Sequence, residues 1–388
     1  MIRTVLTLLV LVSGFTSSAQ IKLSDQSRVS VITIGPWQGE LYSAFGHSAF
    51  RVYDPVHGID EAYDYGVFDF DQPNFYLNFA RGFLYYKVAV RDYKRFEYSN
   101  VYFNRYVHEQ ILELTPEQTQ KVYDYLQWNI KPENEFYRYD YFYDNCATKL
   151  PEIIINVFGD SVHFDGSYIT TNYSIRELTD FYLTSQPWGD LGIDICLGLP
   201  MDKIATPYEY MFLPDFVESG FDNATIMHEG KSIPLVRKKN IIYESHTGQP
   251  LQSFPHPVYV FSILLIMVVG LSIYDVKRKK ASNWFDVILF VITGLIGLLL
   301  LLLWTATDHQ AAAKNFNLLW ALPTHTIAAI AIITKAGWVK KYFLLTGIVM
   351  ILLLVLWVFL PQGLNFYLIP VIGVLTVRSF TQFLYRKR

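Results

Sequence analysis

The chain lacks the marks of several common protein classes. Its 388 residues carry a net charge of −3, and the polar half shows no basic stripe and no aromatic–basic patch, so no nucleic-acid partner is expected. There is no HExxH and no Cys/His ligand spacing, so the sequence offers no metal centre. No cofactor is expected either. No internal repeat or low-complexity tract is visible. Cysteine is scarce: Cys146 and Cys196 are the only two, so the chain holds at most one disulfide.

What is present divides the chain in two, and the whole is too long for one ordinary domain. Residues up to about Ser253 are mixed polar and aromatic, whereas long apolar runs dominate from about Val258. Five candidate spans follow: Val258–Tyr274, Trp284–Trp304, Leu318–Ile333, Tyr342–Leu360 and Asn365–Phe383. Lys277–Lys280, then Lys335, Lys340 and Lys341, then Arg386–Arg388 fall in every second loop, all on one side of these spans. Basic loops stay in the cytoplasm, which puts the C-terminus inside and the preceding domain outside. The start predicts the same side independently. Arg3, the apolar run Val5–Val12 and the small residues Ser17-Ser18-Ala19 have the layout of a secretory signal peptide cut after Ala19. The expected organisation is a signal peptide (1–19), a periplasmic domain (20–244), a linker (245–257) and a five-helix transmembrane domain (258–388), in the inner membrane.

In the outer domain, Arg28–Ile34, Ser48–Tyr53, Ala62–Phe68 and Leu84–Val90 read as strands. Thr115-Pro116-Glu117-Gln118 is a capping box that predicts a helix over about 116–130, and Ser174–Glu177 caps another. Asp144-Asn145 is expected to cap a helix running from Cys146 to Phe158, bent by Pro151. Residues 226–244 read as a hairpin.

Two segments carry chemistry. In Phe45-Gly46-His47-Ser48 a glycine turn delivers a histidine at a strand start. In Tyr143-Asp144-Asn145-Cys146-Ala147-Thr148 a cysteine opens a helix, where the helix dipole favours thiolate. Thiolate is the nucleophile and an imidazole is its natural proton partner. Asp64 is the first choice to orient the imidazole, because it lies on the strand expected beside the histidine's; Glu40 is the second. The remaining histidines of the polar half have no comparable setting. Two outer-face loops are more polar than spacers need, one holding Asp308-His309 and Asn315-Phe316-Asn317, the other Pro361–Asn365.

A histidine on a strand followed by Asn-Cys opening a helix resembles the circularly permuted branch of the papain-like superfamily, which includes lecithin:retinol acyltransferase-like enzymes. The runs Gly46–Asp54, Tyr63-Asp64-Tyr65-Gly66 and Asp144–Thr148, Leu213-Pro214, and a multi-span half with Asp308-His309 and Asn315–Asn317, resemble the Bacteroidetes lipoprotein N-acyltransferase family over nearly the whole chain. The resemblance implies an α+β, permuted papain-like outer domain on a helical membrane bundle. It implies a cysteine-dependent acyltransferase. Cys146 would take an acyl chain from a membrane phospholipid and pass it, through a thioester, to the α-amine of a diacylglyceryl-cysteine lipoprotein. His47 would be base and then acid, and N–H groups at the start of the Cys146 helix would hold the oxyanion. Ser48, Arg51, Asn145, Asp308, His309, Asn315 and Asn317 become candidate substrate contacts. Two other readings remain open from the residues themselves. One is a membrane-anchored cysteine hydrolase of peptidoglycan peptides or lipids. The other is a non-enzymatic assembly module stabilised by a Cys146–Cys196 disulfide.

Overall fold

The computed structural model describes residues 21–246 and 255–385. The signal-peptide segment, most of the 245–257 linker and Arg386–Arg388 lie outside the described residues.

The outer domain is built on a seven-stranded antiparallel sheet, with strand order β10-β5-β1-β2-β3-β4-β6. Its strands are β1 (Arg28–Ile34), β2 (His47–Asp54), β3 (Ile59–Val67), β4 (Tyr85–Asp92), β5 (Val107–Leu112), β6 (Phe136–Arg138) and β10 (Val236–Tyr243). A three-stranded sheet of β7 (Val162–Phe164), β8 (Ala224–His228) and β9 (Lys231–Pro234) stands beside it. Here the sequence reading needs correcting. The expected 226–244 hairpin ends at Pro234, and the next strand crosses to pair with β5 in the large sheet. That edge strand carries Arg237, Lys238 and Lys239, charges that discourage pairing with another chain.

Both faces of the sheet are covered, so β1 is buried at nearly every position instead of alternating. On one face Val29, Val31, Phe50, Val52, Tyr63 and Tyr65 pack against helices Pro116–Asn129 and Lys149–Phe158. On the other, Ile32, Ile34, Ala49 and Ala62 meet Tyr93 and Phe96 of helix Tyr93–Tyr102. The Thr115–Gln118 and Ser174–Glu177 capping boxes form as expected. Pro151 does not bend its helix. It sits in the first turn, where the missing N–H has no partner to lose.

The C-terminal region is helical. Three helices are long and apolar enough to cross a membrane, Pro257–Arg278, Asn283–Ala306 and Phe366–Tyr385, or four spans if a bent pair counts as one. That differs from the expected five. The third expected span is broken into Gln310–Leu319 and Thr324–Ile333, bent by 40°. Pro323 stands at the N-cap of the second piece. The fourth, Val339–Val355, has 17 residues and is about 25 Å long, at the short end of the range for a span. Inside the bundle Arg378 is fully buried between Asp275 and Asp286, at 2.9 and 2.5 Å.

The outer domain is seated on this bundle by polar contacts. Asn365 Nδ2 donates to Asp190 and Asp194, Gln362 Nε2 donates to the Leu197 carbonyl, and the Gly198 N–H donates to the Ala311 carbonyl.

Candidate active site

The sheet register assembles the site. Ala49 on β2 stands directly opposite Asp64 on β3, and Asp64 stands opposite Ala89 on β4. His47 and Arg91 are therefore diagonal neighbours of Asp64 on one face, within reach of long side chains. The two small alanines between them leave room. Asp64 uses both oxygens: Oδ1 lies 2.7 Å from His47 Nε2 and Oδ2 accepts from Arg91 Nε at 2.7 Å. His47 is delivered by Gly46, whose φ of +85° and 2.7 Å approach of a would-be Cβ to the Ile34 carbonyl leave no room for another residue.

Cys146 reaches the same point from the helix side. The helix starts at Lys149, three residues later than expected, and Cys146–Thr148 form a turn ahead of it. Asn145 builds that turn. Its Oδ1 accepts from the N–H groups of Ala147 and Thr148 at 2.8 and 2.9 Å, and its Nδ2 donates to the carbonyls of Tyr141 and Phe212. The Thr148 hydroxyl accepts from the Asn145 N–H in return. Asn145 is thus buried and fully engaged in positioning the cysteine, which leaves it nothing for a substrate. The oxyanion expectation also changes. Ala147 and Thr148 have spent their N–H groups on Asn145, whereas the Cys146 N–H has no acceptor among the described residues.

The Cys146 thiol and the His47 imidazole are hydrogen-bonded to one another. Burial raises the thiol, but the His47 charge and hydrogen bond, with the Ser48 N–H, outweigh it and bring it below its ordinary value. Burial opposes the imidazolium, yet the Cys146 and Asp64 charges and their hydrogen bonds raise His47 to about 10. Nε2 is taken by Asp64, so the other ring nitrogen serves the thiol. Asp64 itself is buried, which raises its pKa, but His47 and Arg91 hold it below the ordinary carboxylate range.

The second-choice orienter, Glu40, is exposed and bonds the Tyr42 hydroxyl, so Asp64 holds the imidazole alone. Ser48 contributes its backbone N–H to the thiol, while its side chain is buried. Arg51 is occupied elsewhere by Asp60 and Glu109, at 2.8 and 3.0 Å, and by the ring of Tyr93. Asn315 and Asn317 are buried at the junction with the membrane helices, where their amides donate to the carbonyls of residues 194–196. Asp308 accepts from Arg138, and His309 bonds the Phe79 carbonyl. Both line an open cavity of about 610 Å³ shared with Tyr143 and Trp304.

Three groups escaped the sequence reading. Arg91 completes the ion-pair chain. Arg105 is half-buried, its Nη2 is buried without a partner, and the Cys146 charge acts on it. Tyr139 lies against Gly66, whose would-be Cβ is 3.6 Å from the Cys146 Cβ. Arg91 lies one residue past the expected strand Leu84–Val90, and only the register of β3 with β4 places it beside Asp64. Among the described residues one group of three carboxylates could hold a metal ion, Asp180, Asp190 and Asp194, and it lies at the membrane junction beside Asn365. Both cysteines are free thiols, so the disulfide of the assembly-module reading does not form.

A buried Cys–His–Asp site in a sheet-rich domain seated on membrane helices defines the class. Comparison with known families is more particular. Residues 17–180 match the Lnb N-terminal periplasmic domain and residues 249–388 match the Lnb transmembrane domain, so the chain belongs to the Lnb family. It is a membrane protein with a periplasmic N-terminal part. No curated protein and no solved structure matches it.

Proposed function

We propose that the protein is a cysteine-dependent lipoprotein N-acyltransferase, working in the inner membrane with its C-terminus in the cytoplasm. The observation that carries this reading is the Cys146–His47–Asp64 chain in a periplasmic domain fastened to membrane helices. Family membership points the same way. Histidine before cysteine in the chain, one on a strand and one ahead of a helix, supports a permuted papain-like domain. We take 20–244 as the periplasmic unit, 245–257 as the linker and 258–388 as the membrane unit.

The thiolate attacks an ester carbonyl of a membrane phospholipid, and the Cys146 N–H donates to the oxyanion that forms. The ester C–O bond breaks. The thiol is shifted toward thiolate and His47 toward imidazolium, so His47 acts as the acid, giving its proton to the departing lysophospholipid oxygen. The α-amine of a diacylglyceryl-cysteine lipoprotein then attacks the thioester carbonyl, its proton passes to His47, and the C–S bond breaks to restore the thiolate. The cavity lined by Asp308 and His309 is the place where a substrate headgroup would meet them.

The test is mass spectrometry of a lipoprotein N-terminal peptide from cells carrying Cys146→Ala or His47→Ala. Both variants should accumulate in the membrane and leave the peptide without its third acyl chain. Unchanged N-acylation in Cys146→Ala would overturn the proposal. Release of soluble wall peptides by the wild type would favour the hydrolase reading.

A further inference from the structure

Helix Phe75–Arg81 buries none of its residues. Tyr76, Leu77 and Phe79 are exposed, Tyr76 to 75%, and Phe70 just before the helix is exposed as well. Residues 75–80 (FYLNFA) carry no charge. An uncharged aromatic surface of this kind on an otherwise packed domain marks a binding surface.

The helix is pinned to the segment that follows the span Asn283–Ala306. The Asp308 N–H donates to the Arg81 carbonyl at 2.9 Å, and His309 Nε2 bonds the Phe79 carbonyl at 3.0 Å. Gly82, at a φ of +80°, lies so close to Asp308 and His309 that a Cβ would stand 2.9 Å from their backbone. Asp308 and His309 directly follow the span Asn283–Ala306, near whose end Trp304 is half-exposed, as aromatic residues at a membrane–water interface are. The aromatic helix thus lies against the end of that span.

From the helix a row of rings leads to the thiol. Phe75 and Phe70 have centroids 5.0 Å apart, Phe70 and Phe68 5.1 Å, Phe68 and Tyr86 5.3 Å, and Tyr86 and Tyr139 4.5 Å. Tyr139 borders Gly66, which borders Cys146. Phe68, Phe70 and Phe75 lie on the segment joining β3 to β4, Tyr86 is on β4, and Tyr139 directly follows β6.

We infer that the apolar side chains of residues 75–80 insert into the outer leaflet, and that the aromatic row is the lane along which an acyl chain of a bilayer phospholipid reaches Cys146. The insertion stands on the surface and its anchorage; the lane rests on the acyltransferase reading. The chemistry favours a hydrocarbon occupant, because the row offers aromatic faces along its whole length and its outer end opens where lipid tails begin.

The test uses the full chain with Cys146→Ser and Cys196→Ser, one new cysteine at Leu77→Cys or, in a second variant, Tyr76→Cys, and an environment-sensitive fluorophore on it. In phosphatidylcholine vesicles, emission should fall about twofold or more when the lipid tails are brominated. Equal emission at both positions with and without bromine overturns the insertion. Separately, Tyr76→Ser/Leu77→Ser/Phe79→Ser in the otherwise native chain should lower acylation of Cys146 from long-chain phospholipid about tenfold, while iodoacetamide alkylates Cys146 at the wild-type rate. Undiminished acylation overturns the lane. If wild-type Cys146 accepts no acyl group at all, the acyltransferase reading fails and takes the lane with it, and the quenching result still decides the insertion.

Discussion

Two clusters of buried acidic groups in the outer domain follow opposite charge balances. At the candidate site Asp64 has a cation on each oxygen, His47 and Arg91, and the Cys146 charge is matched by His47. At the membrane junction the oxygens of Asp180, Asp190 and Asp194 lie within 4.8 Å of one another, and the single guanidinium of Arg176 is shared between Asp194 and Asp202. Burial, followed by the charge of Asp194, raises Asp180 to about 8 and Asp190 to about 6. Burial alone therefore does not decide whether a group stays ionised. It strengthens whatever imbalance the neighbours leave. The first cluster keeps its charges and holds a reactive thiolate; the second holds protons.

The sharpest way to break the first balance is Asp64→Asn. The amide keeps the shape but gives up the charge that sustains the imidazolium and fixes its tautomer. N-acylation measured with purified protein and lipid donor should fall about 10³-fold. Loss of less than a few-fold would show that Asp64 is not the orienter. Next in size is the contrast between the two thiols. Burial alone raises Cys196, whereas His47 lowers Cys146. Near pH 6 iodoacetamide should alkylate Cys146 roughly 100-fold faster than Cys196, as peptide mass spectrometry would read. The His47→Ala variant should erase the difference; equal rates in the wild type would remove the shift toward thiolate. Arg91→Ala should do less, because its side chain is 49% exposed. A loss of activity of about fivefold or less is expected, shrinking further at high salt.

Much of this was legible in the sequence, and for physical reasons. β1 appeared at its observed bounds, and both capping boxes formed, because those signals are local. His47 and Cys146 stood out because a glycine turn and an Asn-Cys turn are local too. Asp64 was reachable because consecutive strands of a sheet tend to pair. Arg91 was not, because strand register is decided by packing across the whole sheet. The start of the Cys146 helix was misplaced by three residues because the Asn145 side chain bonds to the next two N–H groups and holds them in a turn. The polar outer loops were read as substrate contacts. Asn315, Asn317, Gln362 and Asn365 instead donate to the outer domain, a use that no local pattern distinguishes from binding. The break in the third expected span was not legible for a related reason: hydropathy records apolar content, whereas the break at Pro323 is a matter of backbone geometry.

The smallest effect tests the second balance. Asp180 binds its proton more tightly in the folded protein, at about 8, than a free carboxyl does near the ordinary 3.8. Between those values the folded state carries the extra proton, so stability is greatest below about pH 4 and falls as pH rises toward 8. This is opposite in sign to a salt-bridged carboxylate, whose contribution is complete above about pH 4 and is lost as pH falls through its lowered pKa. Asp180→Asn removes the titration while keeping a polar group of similar size. The melting temperature of the full chain in detergent should therefore fall less between pH 5 and pH 8 in the variant than in the wild type. A difference of roughly 2 to 4 °C is expected for each kcal/mol involved. Part of the slope should persist, because Asp190 titrates in the same range, near 6. An unchanged slope in Asp180→Asn would mean that the junction carboxylates are compensated after all, and the contrast between the two clusters would then fail on its weaker side.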